Sequence, residues 1–88
     1  MNTSQTTPPR QGSVTLGGHP WLARMLDKAR LDAAATIDAF DLVYPCPMDK
    51  QLLSKLNVSA ETFQRIAVAN TTDDAVLQAL AKEGVALA

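Results

Sequence analysis

Cysteine, histidine, tryptophan and tyrosine each occur once in this chain of 88 residues, and phenylalanine occurs twice. The single cysteine, Cys46, excludes an internal disulfide. One histidine and one cysteine are too few soft ligands for a zinc centre within one chain. With so few aromatics the core must be built from Leu, Val, Ile, Met and Ala, a mixture that favours helices over sheets. No run approaches the roughly 20 apolar residues that span a bilayer, and the opening MNTSQTTPPRQGS lacks the apolar stretch of a signal peptide. An excess of charge is missing too. Eight basic residues face nine acidic ones, a net charge of −1, whereas a dedicated nucleic-acid binder carries a marked basic excess. These absences lead to the expectation of a cytoplasmic protein with no membrane partner and no implied cofactor.

What remains is enough for one domain. Apolar residues make up 47% of the chain, near the globular average, and a domain of this length buries only about 60% of its unfolded surface. Residues 1–13, polar and rich in Thr, Gln and Pro, are expected to form a flexible arm. Residues 14–88 then form the domain, entered through a sharp turn at Gly17 and Gly18.

The spacing predicts helix one from about Pro20, which suits a first helical position, to about Thr36. Leu22, Met25, Leu26, Ala29 and Ala33 form its buried stripe, with Arg24, Asp27, Lys28 and Leu31 opposite. Residues 37–47 are apolar without a clean period and carry Pro45 and Pro47, which makes them a packed connector with room for one helical turn. Helix two runs from Pro47 or Met48 to Leu56, with Asp49 in its first turn. Its buried side is Met48, Leu52, Leu53 and Leu56, and Asn57 is a left-handed stop. Ser59 caps helix three, in which Phe63, Ile66 and Ala67 face inward. Thr72 caps helix four, whose stripe is Val76, Leu77, Leu80 and Ala81 and whose end is marked by Gly84. The expected fold is all-α: a single domain of four short helices with a proline-rich structured connector between the first two.

The segments LGGHPWLARMLDKARLDAA, YPCPMDKQLL and TTDDAVLQAL resemble, in that order, a small bacterial family of compact helical domains whose function is unknown. The residues that carry the likeness are Leu16, Gly17, Gly18, Arg24, Asp27, Lys28, Arg30, Tyr44, Cys46, Pro47 and Asp49. It covers roughly residues 14–82. Met48 stands where the family favours leucine, and the connector IDAFDLV departs from its shorter or glycine-bearing form. The resemblance implies a helical fold and no activity.

Four constellations offer chemistry. On helix one, Arg24, Asp27, Lys28 and Arg30 form either a solvated face laced with weak ion pairs or a basic surface for an anionic group. Arg30 is also placed to reach Asp49 or a backbone carbonyl and pin the connector. In the YPCPMD turn, Cys46 precedes a helix N-terminus, a position that favours a reactive thiol, while Asp49 opposes one and a small buried cysteine is the plainer expectation. His19, in Gly-Gly-His-Pro, lies where backbone N–H groups can hold an anion, but without the longer glycine spacing of a phosphate loop.

The fourth is DKQLLSKLNVSAETFQRIAV, residues 49–68, which fits a helix-turn-helix pattern. Its second helix would present Ala60, Glu61, Thr62, Gln64 and Arg65 to base edges, with Thr62, Gln64 and Arg65 as the DNA-contacting side chains. Three basic and two acidic residues give this run only +1, few phosphate contacts for a specific binder. Leu53 is also bulky where two helices must cross closely. The favoured expectation is therefore a non-enzymatic accessory or protein-interaction module. It would act on a partner protein or a second copy through Arg24, Asp27, Lys28, Arg30, Tyr44, Cys46 and Asp49, with no catalytic and no metal-binding residue. DNA binding through residues 49–68 is the alternative, and a small-anion or thiol site at the YPCPMD turn the second.

Overall fold

The computed structural model describes residues 8–87. Along them run β1 (Thr15–Leu16), β2 (His19–Pro20), α1 (Leu22–Ala33), a 3-10 helix (Ile37–Phe40), α2 (Pro47–Leu56), α3 (Ala60–Ala69) and α4 (Asp73–Lys82). The fold is mostly α, as expected, with one small hairpin added. Its strands are antiparallel, with Thr15 opposite Pro20 and Leu16 opposite His19. The connecting residues Gly17 and Gly18 have φ of 59° and 82°, the left-handed pair that a two-residue hairpin turn demands. Two-residue strands are too short for an alternating pattern to register in sequence.

Pro20 is thus paired in β2 rather than opening helix one, and α1 begins two residues later. Trp21 precedes it in the left-handed region, φ 76°. At the other end Ala35 turns left-handed (φ 59°), and the Thr36 N–H reaches back to Leu31 O at 2.9 Å. This six-residue closure stops α1 at Ala33 instead of Thr36. The connector holds its one helical turn as the 3-10 segment, and Tyr44–Pro45 is a cis peptide.

Cap chemistry sets the later helices where their residues predict them. Asn57 ends α2 at φ 61°. The Thr62 N–H donates to Ser59 Oγ at 3.0 Å, and the Ala75 N–H to Thr72 Oγ1 at 3.1 Å. Each such cap contributes about 1 kcal/mol. After α4, Gly84 (φ 90°) turns the chain so that Val85 plugs the core.

That core gathers Leu22, Met25, Leu26 and Ala29 of α1 against Phe63, Ile66 and Ala67 of α3, with α4 closing over α3 through Val76 and Leu80. Leu52, Leu53 and Leu56 join from α2. Three expected core positions differ. Ala33 and Ala81 are exposed, because each lies in the last turn of its helix, beyond the packed neighbours. Met48 is 48% exposed, since the inward place in the first turn of α2 belongs to Asp49.

Of the expected arm, residues 1–7 lie outside the described residues. Arg10, within the remainder, is held. Its guanidinium bridges Asp27 of α1 at 2.9 Å and Asp73 of α4 at 2.8 Å. Those hydrogen bonds, Asp73 first, raise Arg10 above its ordinary value, and the bond from Arg10 holds the Asp73 carboxyl below the usual carboxylate range.

Candidate functional site

Two local conformations bring α1 and α2 together at one point. The left-handed Trp21, whose N–H donates to Gly12 O at 2.8 Å, lays its ring against Gly12. A Cβ at Gly12 would collide with that ring. Pro47 opens α2 at a position where no N–H is needed, which leaves Cys46 as the N-cap and Asp49 as the third helical residue. The Asp49 carboxylate then turns back and accepts the Cys46 N–H at 3.0 Å, one half of a capping box.

Asp49 is completely buried and accepts two further bonds. The Trp21 indole N–H donates to Oδ1 at 2.8 Å, and the Lys28 ammonium donates to Oδ2 at 2.7 Å. The same ammonium lies 3.1 Å from Cys46 Sγ. Lys28 is only 2% exposed, so its expected place on a solvated face is corrected. The reason is the paired acid that α2 supplies. A buried ammonium persists only beside a counter-charge with its hydrogen bonds satisfied, and among the described residues every buried side-chain N or O has a partner.

The other residues of the expected surface separate. Arg24 stands over the Trp21 ring, its guanidinium carbon 5.4 Å from the centroid, and donates to Arg10 O at 3.2 Å. Asp27 is occupied by Arg10. Arg30 reaches backbone carbonyls rather than Asp49, donating to Ala67 O at 3.1 Å and Asn70 O at 2.7 Å. It therefore satisfies the open end of α3 and does not pin the connector. Tyr44 is 8% exposed and donates to Ala60 O at 2.8 Å.

Burial, aided by the charges of Asp49 and Asp32, pushes the Tyr44 phenol above its ordinary value. A folded-state value above the unfolded one (about 10) means that this contribution to stability is whole below about pH 10. It is lost as pH rises through the raised folded value. The single tyrosine makes the test direct. Phenolate absorbance should appear together with loss of helix in an alkaline titration, whereas phenolate forming near pH 10 with helix intact would contradict the assignment. Tyr44→Phe should lose the alkaline step and about 1 kcal/mol of stability at neutral pH.

Trp21, Arg24, Lys28, Asp41, Val43, Cys46 and Met48 are among the residues that line a cleft of about 420 Å³. A second hollow of about 470 Å³ shares Trp21 and Met48 and adds Gln51 and Lys55. Arg10 and Trp21 were not among the expected site residues. Trp21 carries a signal in sequence, as the only tryptophan placed directly before a helix.

The remaining candidates are placed elsewhere. His19 Nε2 lies 3.0 Å from Ala86 O, so it is tied to the segment after α4 and not to the Cys46 turn. Gln64 is committed to α1, donating to Ala29 O at 2.9 Å and Asp32 Oδ2 at 2.8 Å. Thr62 lies in the first turn of α3, and Arg65 is exposed on it. Among the described residues no His, Cys, Asp and Glu groups of three or more could hold a metal, and no helix is long and apolar enough to cross a membrane.

No curated protein and no solved structure matches the chain. A family model does, over residues 6–86, so that it takes in Arg10 as well as the whole Trp21–Lys28–Cys46–Asp49 cluster. The chain belongs to the family described as Domain of unknown function (DUF5069).

Proposed function

We propose that the protein is a non-enzymatic accessory module of the cytoplasm that docks a short acidic and apolar segment of a partner protein in the cleft beside Cys46. The observation that carries this reading is the exposure of Val43 (65%) and Met48 (48%) on the walls of one cleft. Among the described residues those two are half of the large exposed hydrophobic ones, the others being Val14 and Val68. Trp21 and Arg24 line the same cleft, residue types enriched where partners bind tightly. Methionine adapts its shape to an incoming side chain.

Charge selects the occupant. The two neighbouring hollows are lined by Arg24 and Lys55 against the single acid Asp41. Lys28 is already neutralised by Asp49. A segment with one or two carboxylates beside apolar side chains therefore complements the groove, and a basic segment does not.

Selection from a random peptide-display library is the test. Peptides recovered by the protein should combine acidic and large apolar residues, and Val43→Asp should weaken their binding at least about tenfold, or 1.4 kcal/mol. Val68→Asp, on α3 and outside the lining of both hollows, should leave it unchanged. Peptides that bind Val43→Asp as well as the parent would overturn the reading. So would a homodimer lost in Val43→Asp with no peptide selected, which would give the groove to a second copy.

A further inference from the structure

Lys28 of α1 and Cys46 at the head of α2 meet with Nζ and Sγ only 3.1 Å apart. The two atoms differ in access. Lys28 is 2% exposed, while Cys46 is half-buried and forms part of the wall of the open 420 Å³ cleft. Both residues line that cleft, and Cys46 is the more exposed of the two, so the sulfur is the group a small solute meets first. Behind the amine, 2.7 Å from the same Nζ, lies the fully buried Asp49 carboxylate. Sulfur, amine and carboxylate thus stand in the order in which an electrophile, a nucleophile and a proton acceptor are needed.

We propose that this trio is a site of reversible oxidative cross-linking, in which a small peroxide oxidises Cys46 and Lys28 captures the product as an S–N bond between α1 and α2. In the first step the Cys46 sulfur attacks one oxygen of hydrogen peroxide. An S–O bond forms, the O–O bond breaks, and the second oxygen leaves as water with the thiol proton. Sulfur loses two electrons and the peroxide gains them, giving a sulfenic acid. The second step needs no further oxidant. Lys28 passes one ammonium proton to Asp49, and its nitrogen lone pair displaces the sulfenic hydroxyl. That hydroxyl departs as water with a second proton from the nitrogen. The products are the S–N linked pair, a neutral Asp49 carboxyl and water.

Two features favour this outcome over the usual fates of a sulfenic acid. No second cysteine exists in the chain to form an internal disulfide, and an amine already held at 3.1 Å has the advantage of proximity over a second peroxide from solution. Charge also balances. Losing the Lys28 cation alone would strand a buried carboxylate. Here Asp49 receives the proton that the cation gives up, so the interior keeps neither charge.

The test treats the whole protein with a small excess of hydrogen peroxide and follows intact mass and a peptide map made without reductant. The expected main product is lighter by about 2 Da, the loss of two hydrogens. Its map should contain one peptide joining the segment of Lys28 to that of Cys46, and dithiothreitol should restore the starting mass. A Cys46 carrying added oxygen beside an unmodified Lys28, or an intermolecular disulfide as the main product, would overturn the proposal. Lys28→Arg keeps the charge facing Asp49 without the nucleophilic amine. It should yield a sulfenic acid that dimedone traps, and the same 2 Da loss in this variant would also overturn the proposal. The peptide map of the parent decides by itself if that variant does not fold.

Discussion

Replacing Asp49 by Ala is expected to remove most of the stability of the protein at 25 °C. The substitution removes the only carboxylate that, among the described residues, is bonded to Lys28, an ammonium that is 2% exposed and has the Cys46 sulfur as its other partner. Breaking a buried pair by deleting one member costs about 3–5 kcal/mol, because the surviving charge is stranded in low dielectric. The Trp21 indole and the Cys46 N–H lose their acceptor as well. A small domain sits near the lower end of the usual stability range of about 5–15 kcal/mol, so a loss of this size consumes most of it. Lys28→Met should be comparably harmful. Lys28→Met combined with Asp49→Leu should recover a large part of the loss, since two apolar side chains strand nothing between them. Urea denaturation of the four proteins closes the cycle. Single variants within about 1 kcal/mol of the parent would show that the pair does not hold α1 to α2.

The second large effect is expected at Phe63. It is fully buried on the face of α3 that meets α1, and it is the largest apolar side chain with no exposed surface. Truncation to Ala removes the ring and leaves a cavity that surrounding helices fill only in part, at a cost of about 3–5 kcal/mol. Phe40 provides the internal contrast. It ends the 3-10 segment, is only partly buried and lies outside the main cluster. Phe40→Ala should therefore cost about 1 kcal/mol or less. Equal losses at the two positions would mean that the connector, and not the α1–α3 contact, is the centre of stability.

The contrast between those residues also explains what could be read from sequence. Ser59, Thr72, Asn57 and Gly84 mark the helix ends because capping is settled within a few residues of chain. Phe63 and Ile66 show their inward face through spacing alone. Lys28 does not. Its type argues for solvent, and what reverses this is an acid on another helix to which no local pattern points. Arg10 is hidden for the same reason, since both of its carboxylate partners are distant in sequence. The polar residues of helix one looked like one surface because they crowd one stretch of chain. The helix turns Arg24 to Trp21, Asp27 to Arg10, Lys28 inward and Arg30 to the end of α3. What makes the candidate site, the cleft between Trp21 and Met48, depends on the left-handed Trp21 and on the path of the connector, neither of which has a periodicity.

Arg10 carries one more consequence, and it concerns the order in which the molecule assembles. The helix caps and the α1 turn at Ala35 close within a few residues, so these pieces can form and re-form independently. The Arg10–Asp73 bond joins positions 63 residues apart, and the His19–Ala86 contact joins positions 67 apart. Bringing such distant points together sacrifices more chain entropy than any local contact, and it yields little until α1, α3 and α4 already stand in place. These two ties are therefore the last to be made and act as latches on a finished bundle. A latch of this kind, made after the transition state, bears on how slowly the native state opens and has little influence on how quickly the bundle first forms.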